Sequence, residues 1–323
     1  MTLEVGAIVL PTMTAAEMID TIVAAEGIGL DYCLVADESL LTDPYVVLGA
    51  AARLTSRIRL GPVTNGYTRH PAVSAAAIAT LNSLSGGRAV AALVAGGSMA
   101  LGPLGIERAA PLTVVGETIE VMKRLWSGEA VTWHGDRFCL DDARLGPGPQ
   151  DIPLWIAARG PRLLSLAGRA ADGVILEVGA DLAGALALVD GGTPTGAPHR
   201  TRIYLDQLAY RPDLRQGTAS EVFVHVLMDS PTRQLHALGL TDPEIAEFRG
   251  VYRSEGAAAA ADLIPPEVVR RHQIVGTPEE CRRTLGELAA RHELDAFFFY
   301  VKSPGLETNV ALMTDVRRIA TAT

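Results

Sequence analysis

Short apolar runs alternate with amphipathic stretches along most of the chain. Between Arg57 and Ser98, Ile58, Leu60 and Val63 stand among few polar residues, as a short buried strand requires. Thr64, Asn65, Gly66 and Tyr67 follow as a polar turn. Pro71 can then open a helix, because its missing N–H falls among donors that are unpaired there anyway. Ala77, Ile78 and Leu81 carry that helix to a Gly86-Gly87 stop. Residues 90–95 form a second apolar strand that runs into Gly96-Gly97-Ser98. The unit is strand, polar turn, helix, strand.

The same unit recurs on both sides. Residues 3–10 read as the first strand, and Thr14 to Glu17 has the spacing of a capping box. Met18, Ile19, Ile22 and Val23 then share one helical face. Residues 32–36 form a strand ending at Asp37-Glu38, and Asp43-Pro44 opens a helix with Val47, Leu48, Ala51 and Leu54 inward. Residues 112–126 predict a helix, and AVTWHGDRFCL a hairpin about His134-Gly135-Asp136. Strands follow at 153–157 and 173–176, with a helix over 160–170 between them. A seventh strand is expected over 203–209, then a helix over 219–228 and a helical insertion reaching about 271. Thr277 to Glu280 is a second capping box, and AFFFYV at 296–301 is the last strand. Eight strands separated by helices predict a (β/α)8 TIM barrel, with an open doubly wound sheet as the alternative. One domain over 1–323 is expected, with insertions at about 129–141 and 229–272.

Composition narrows the function classes. With 48% hydrophobic residues and a mean hydropathy of +0.22, a sizeable core can form. A net charge of −9 argues against a nucleic-acid footprint, which needs clustered cations. No apolar run approaches the roughly 18 residues of a membrane span. Three cysteines, Cys33, Cys139 and Cys281, are widely spaced and form no CxxC, so reduced thiols and a cytoplasmic setting are expected. The opening MTLEVGAIVLP lacks a basic region and a cleavage site, so no leader is expected.

In a barrel of this kind, chemistry gathers at the C-terminal ends of the strands. That rule selects Pro11, Asp37-Glu38, Thr64-Asn65, Gly96-Gly97-Ser98, Ala158-Arg159-Gly160, Glu177, Asp206-Gln207 and Tyr300. In Ala158-Arg159-Gly160-Pro161 a strand runs through small residues into a helix start. Its free N–H groups and helix dipole can hold an anion, or the segment is an ordinary turn. Gly96-Gly97 either admits a flat ring or a phosphate close to the backbone, or is a tight turn. HExxH, GxSxG, a Walker loop and a GxGxxG after the first strand are all missing, so no metal site is expected.

Four blocks carry a resemblance: VADE after the second strand, LGPVTNGYTRHPAVSAAAIATLNSLSGGRAV, IPLWIAARGPRLLSLAGRAADGVIL, and the late IVGTPEECRRTLGELAA. With them the chain resembles the luciferase-like flavin/deazaflavin family. It is most similar to the coenzyme F420-dependent branch that includes methylenetetrahydromethanopterin reductases. The resemblance implies a barrel binding F420, or alternatively FMN, at the strand C-termini. It places Asp37 at the deazaflavin edge and a non-prolyl cis peptide at Pro62–Val63 behind the ring, with Thr64 and Asn65 alongside. Gly96, Gly97 and Ser98 would line the cofactor, and Ala158, Arg159 and Gly160 would hold its phosphate. A homodimer acting on a small-molecule substrate is the family habit. The implied reaction is hydride transfer between the deazaflavin C5 and the substrate. An FMN-dependent monooxygenase and a non-catalytic deazaflavin-binding barrel are the alternatives. The chain departs from the family pattern at Glu38 where a His is common, at Ser98 where an acid is common, and at Ile8 in place of a Glu. Glu38, Glu177 and Tyr300 are therefore the remaining candidates for proton transfer.

Overall fold

A computed structural model of the chain describes residues 3–214 and 221–321. Eight parallel strands close into a barrel. They are β1 (Glu4–Val9), β2 (Tyr32–Ala36), β3 (Arg59–Thr64) and β4 (Ala91–Leu93), followed after a hairpin by four more. The hairpin pairs β5 (Val131–His134) with β6 (Cys139–Ala143) in antiparallel register. The barrel continues with β7 (Leu154–Ala158), β8 (Gly173–Leu176) and β9 (Thr201–Leu205). Short strands β10 (Gln207–Ala209) and β11 (Gln273–Val275) pair with each other, and β12 (Ala296–Val301) closes the ring against β1. The order around the barrel is β1-β12-β9-β8-β7-β4-β3-β2. The eight-stranded barrel expected from the alternation is present, and the open sheet is excluded.

Local signals explain most helix starts. Thr14 and Glu17 form the expected capping box, as do Thr277 and Glu280. A third box, Thr241 with Glu244, opens the helix Asp242–Glu255 within the insertion. That insertion spans five helices from Glu221 to Arg271. They enclose a separate apolar cluster that includes Val224, Leu227, Leu235, Phe248 and Val268. Of the helix expected over 219–228, residues 219 and 220 lie outside the described residues; the remainder is the helix Glu221–Asp229.

Two expectations are corrected. The strand expected over 203–209 divides at Asp206. Its first part stays in the barrel, while β10 leaves to pair with β11. At the break the Asp206 carboxylate accepts from the Gln207 N–H at 2.7 Å, a local bond that takes this donor away from the barrel ladder. The second correction concerns Pro62–Val63. Among the described residues no peptide bond is cis. Pro62 stands opposite Val35, and Val63 opposite both Ala36 and Ala92. A trans bond keeps both residues in these ladders, and Val63 C=O accepts from the Asp37 N–H at 2.9 Å. Pro62 has no N–H to give. Toward β4 the pairing skips from the Leu60–Ala89 bridge to Val63–Ala92, which is where such a gap is tolerated.

Side chains inside the barrel are graded by size. Tyr32, Trp155 and Phe298 stack edge-on and tilted near the N-terminal end, with ring centroids 5.4–6.1 Å apart. Gly6 makes room for them, since a Cβ there would lie 2.4 Å from the Phe298 ring. Toward the other end the inward positions on β2, β4 and β7 shrink to Ala36, Ala92 and Ala157. The lower barrel is therefore filled, and the upper end is left open to a ligand.

Buried Asp206 yields a pH test. Burial is the main cause that raises its carboxyl to about 7, against bonds from Tyr204 and Gln207 that favour the charged form. Between the ordinary value of 3.8 and about 7, the folded chain holds a proton that the unfolded chain has released. Raising pH through that window therefore lowers stability, and the loss levels off above about pH 7. Thermal unfolding of Asp206→Asn should lack this decline, so that its stability relative to the parent improves as pH rises from the ordinary value of 3.8 to about 7.

Candidate active site

A cavity of about 300 Å³ lies at the C-terminal end of the barrel, at the lower end of the range for small-molecule sites. Its floor is apolar, with Ile8, Leu10, Val63, Ala157 and Leu205. Strand ends and the loops after them supply the polar wall.

At the end of β2, Asp37 and Glu38 both face the cavity. The Asp37 carboxylate accepts from the Thr64 hydroxyl at 2.8 Å, and Tyr45 donates to Thr64 at 3.3 Å. Thr64 thus stands behind the wall and fixes Asp37. Glu38 differs: burial first, then the charges of Asp37 and Asp229, raise its carboxyl from 4.5 to about 7. A group with that value is poised to give or take a proton near neutrality.

After β3, Asn65 is almost fully buried, and its Oδ1 accepts from the N–H groups of Tyr67 and Thr68 at 2.8 and 3.0 Å. That turn leaves the Asn65 Nδ2 buried with no partner, on a residue that lines the cavity. A buried amide donor without an acceptor is costly, so the arrangement suits a ligand that brings a carbonyl or ring nitrogen. Gly96 takes φ +81°, a conformation that L side chains rarely adopt, and lets the turn after β4 lie along the cavity.

Ala158, Arg159 and Gly160 sit where β7 meets the helix Pro161–Ala170. Gly160 is the N-cap and offers no side-chain acceptor, so the first N–H groups of the helix remain available to an anion. Arg159 is ion-paired with Glu177, and its Nε is buried without a partner. Tyr300, at the end of β12, is pushed up to about 12, chiefly by burial. It therefore keeps its proton across the neutral range.

The structure brings together Asp37, Glu38, Val63, Asn65, Gly96, Gly97, Ala158, Arg159, Gly160, Glu177 and Tyr300 around one cavity. Pro62, Thr64 and Ser98 are close by but do not line it. Ser98 instead turns toward the helix Glu221–Asp229, donating its N–H and its hydroxyl to Asp229 at 2.9 and 3.1 Å. Asp229, His225 and Val226 from that helix form a roof that the sequence reading missed, together with Arg108. No spacing or motif in the insertion distinguishes these residues from an ordinary helix face. Among the described residues, no group of three or more His, Cys, Asp or Glu side chains could hold a metal ion. No helix there is long and apolar enough to cross a membrane.

Comparisons with known proteins agree with this fold. The sequence profile of luciferase-like monooxygenases matches residues 2–292. The 5,10-methylenetetrahydromethanopterin reductase of Archaeoglobus fulgidus is 30% identical over 293 residues, covering 86% of this chain and 88% of its own. An F420-dependent glucose-6-phosphate dehydrogenase of Beutenbergia cavernae is 40% identical over 141 residues, covering 41% of each chain. Among solved structures, the F420-dependent tetrahydromethanopterin reductase of Methanopyrus kandleri superposes with a TM-score of 0.81 at 23% identity. It covers 97% of this chain and 98% of its own. Profile, identity and barrel together show that the chain belongs to the luciferase-like monooxygenase family.

Proposed function

We propose that the protein is an F420-dependent oxidoreductase acting on a small molecule. The observation that carries this reading is the convergence on one apolar-floored cavity of three features. They are the unpartnered amide of Asn65, the uncapped helix start at Gly160, and a Glu38 carboxyl near neutrality. The first suits the polar edge of a flat ring, the second a phosphate, and the third a proton transfer. The F420-dependent glucose-6-phosphate dehydrogenase relative supports F420 over FMN.

In this reading Ala158, Arg159 and Gly160 would hold the cofactor phosphate, with Glu177 keeping the Arg159 guanidinium in place. Val63, Asn65, Gly96 and Gly97 would meet the ring, and Asp37, fixed by Thr64, its edge. When bound, F420 supplies a carbon that gives or accepts a hydride. Ile8, Leu10 and Leu205 exclude water from that end of the cavity. Glu38 holds the proton that balances the hydride, as general acid in reduction and general base in the reverse direction. Tyr300 keeps its proton, so it serves as a hydrogen-bond donor to substrate and not as the proton source.

Fluorescence titration should give micromolar or tighter F420 binding and much weaker FMN binding. Equal affinities, or tighter FMN binding, would favour the monooxygenase alternative. Gly160→Val should weaken F420 affinity at least roughly tenfold without unfolding the barrel, since one charge-assisted contact contributes about 1.5–3 kcal/mol. An unchanged affinity in the folded variant would move the phosphate elsewhere. Glu38→Gln should leave F420 affinity near the parent value and lower turnover roughly 100-fold or more. In the parent, reduction should fall as pH rises through about 7, because the donor loses its proton there. Full turnover by Glu38→Gln would remove Glu38 from the mechanism.

A further inference from the structure

Charge along the cavity wall is unevenly matched. Among the described residues, the wall carries four carboxylates, Asp37, Glu38, Glu177 and Asp229, and two guanidinium groups, Arg108 and Arg159. Each arginine already has a carboxylate partner. Arg159 is paired with Glu177, and Arg108 Nη1 meets Asp229 Oδ1 at 3.5 Å. The two pairs differ. Arg159 keeps a buried Nε without a partner beside the helix start at Gly160, so it retains a donor for an anion. Arg108 is anchored on the Gly96 C=O at 3.1 Å and covered by a carboxylate that is itself fixed. Asp229 Oδ2 accepts from the Ser98 N–H at 2.9 Å and the Ser98 hydroxyl at 3.1 Å, and its side chain is only 16% exposed. Two donors of the turn after β4 thus hold this carboxylate against the roof guanidinium.

We propose that Asp229 is a specificity-determining residue: its fixed carboxylate occupies Arg108 and Ser98 and closes the roof to anions, so the substrate carries no phosphate or carboxylate there. Its meaning for a substrate rests on the oxidoreductase reading above; the occupied roof rests on the bonds alone. An anion entering beside Arg108 has to displace Asp229. That carboxylate would then give up its bonds to Ser98 while still mostly shielded from water, which is costly. The entering anion would also meet Asp37, which is held by the neutral Thr64 hydroxyl in place of a cation, and Glu38 next to it. Over an apolar floor such like charges are poorly screened. An uncharged molecule meets neither cost, and Ile8, Leu10 and Leu205 offer its body an apolar surface. The cavity thus has one end open to an anion, at Gly160, and a roof closed to one.

The test follows inorganic phosphate by titration calorimetry in protein without cofactor. Binding that depends on Arg108 reports the roof, and binding lost in Gly160→Val reports the other end. In the parent, Arg108→Gln should leave phosphate affinity unchanged, because the guanidinium is already occupied. Asp229→Asn keeps the shape and an oxygen acceptor for Ser98 while removing the charge. It should add a phosphate site at least roughly tenfold tighter than any the parent has at the roof. Adding Arg108→Gln to that variant should abolish the gain. Where Asp229→Asn does not fold, Asp229→Ser takes its place with the same expectation. A merely structural role for Asp229 would lower the melting temperature without any Arg108-dependent phosphate binding. Parent affinity that falls with Arg108→Gln, or a folded Asp229 variant without the gain, overturns the proposal. An F420 titration separates the two readings. The phosphate pattern in protein that fails to bind F420 keeps the closed roof and removes the oxidoreductase reading. F420 binding without that pattern removes the closed roof alone.

Discussion

The filled lower barrel is the constraint on which the rest depends. A ring of eight parallel strands encloses a limited volume, and Tyr32, Trp155 and Phe298 occupy its N-terminal end. Gly6 yields the space that the Phe298 ring needs. With that end closed, the small inward residues Ala36, Ala92 and Ala157 leave room for a ligand at the other end of the barrel. The strand termini there carry the loops, so polar side chains from distant parts of the chain meet over an apolar floor.

That floor changes what the polar groups can do. Two adjacent carboxylates, Asp37 and Glu38, end the same strand, yet their surroundings separate them. Asp37 is supported by the Thr64 hydroxyl, which Tyr45 holds in turn. Glu38 is desolvated and faces other negative charge, and its carboxyl is raised to about 7. Similar chemistry on one strand end thus gives one carboxylate held by a neighbouring hydroxyl and one raised toward neutrality. Asp206, also raised to about 7, lies off the cavity wall and is bonded to Tyr204 and Gln207. A raised value alone is therefore not a mark of the site; access to the cavity decides.

The insertion completes the wall of the site. Its five helices have their own apolar cluster, which lets them pack as a unit on the barrel rim. Through Asp229 and Ser98 they engage the turn after β4. The structure places the Asp229 carboxylate on Ser98. The departure noted at Ser98 thus acquires a partner that lies 131 positions further along the chain.

Alternating apolar runs, capping boxes at Thr14 and Thr277, and strand ends marked by polar pairs made the barrel legible without coordinates. These are local signals, set by backbone periodicity and by the unpaired donors of a helix start, and each is complete within a few residues. The clustering of Asp37, Asn65, Gly96, Arg159 and Tyr300 was likewise readable, because a barrel brings every strand end to one rim. Three features were not. Asp206 cuts its strand short through a side-chain bond that competes with the ladder, and an apolar run does not reveal that competition. The trans bond at Pro62–Val63 follows from pairing with β2 and β4, which are remote in sequence. Asp229 and His225 reach the cavity only because helices of the insertion dock on the rim. Docking is decided by shape and buried area between surfaces far apart in the chain, and no local pattern encodes it.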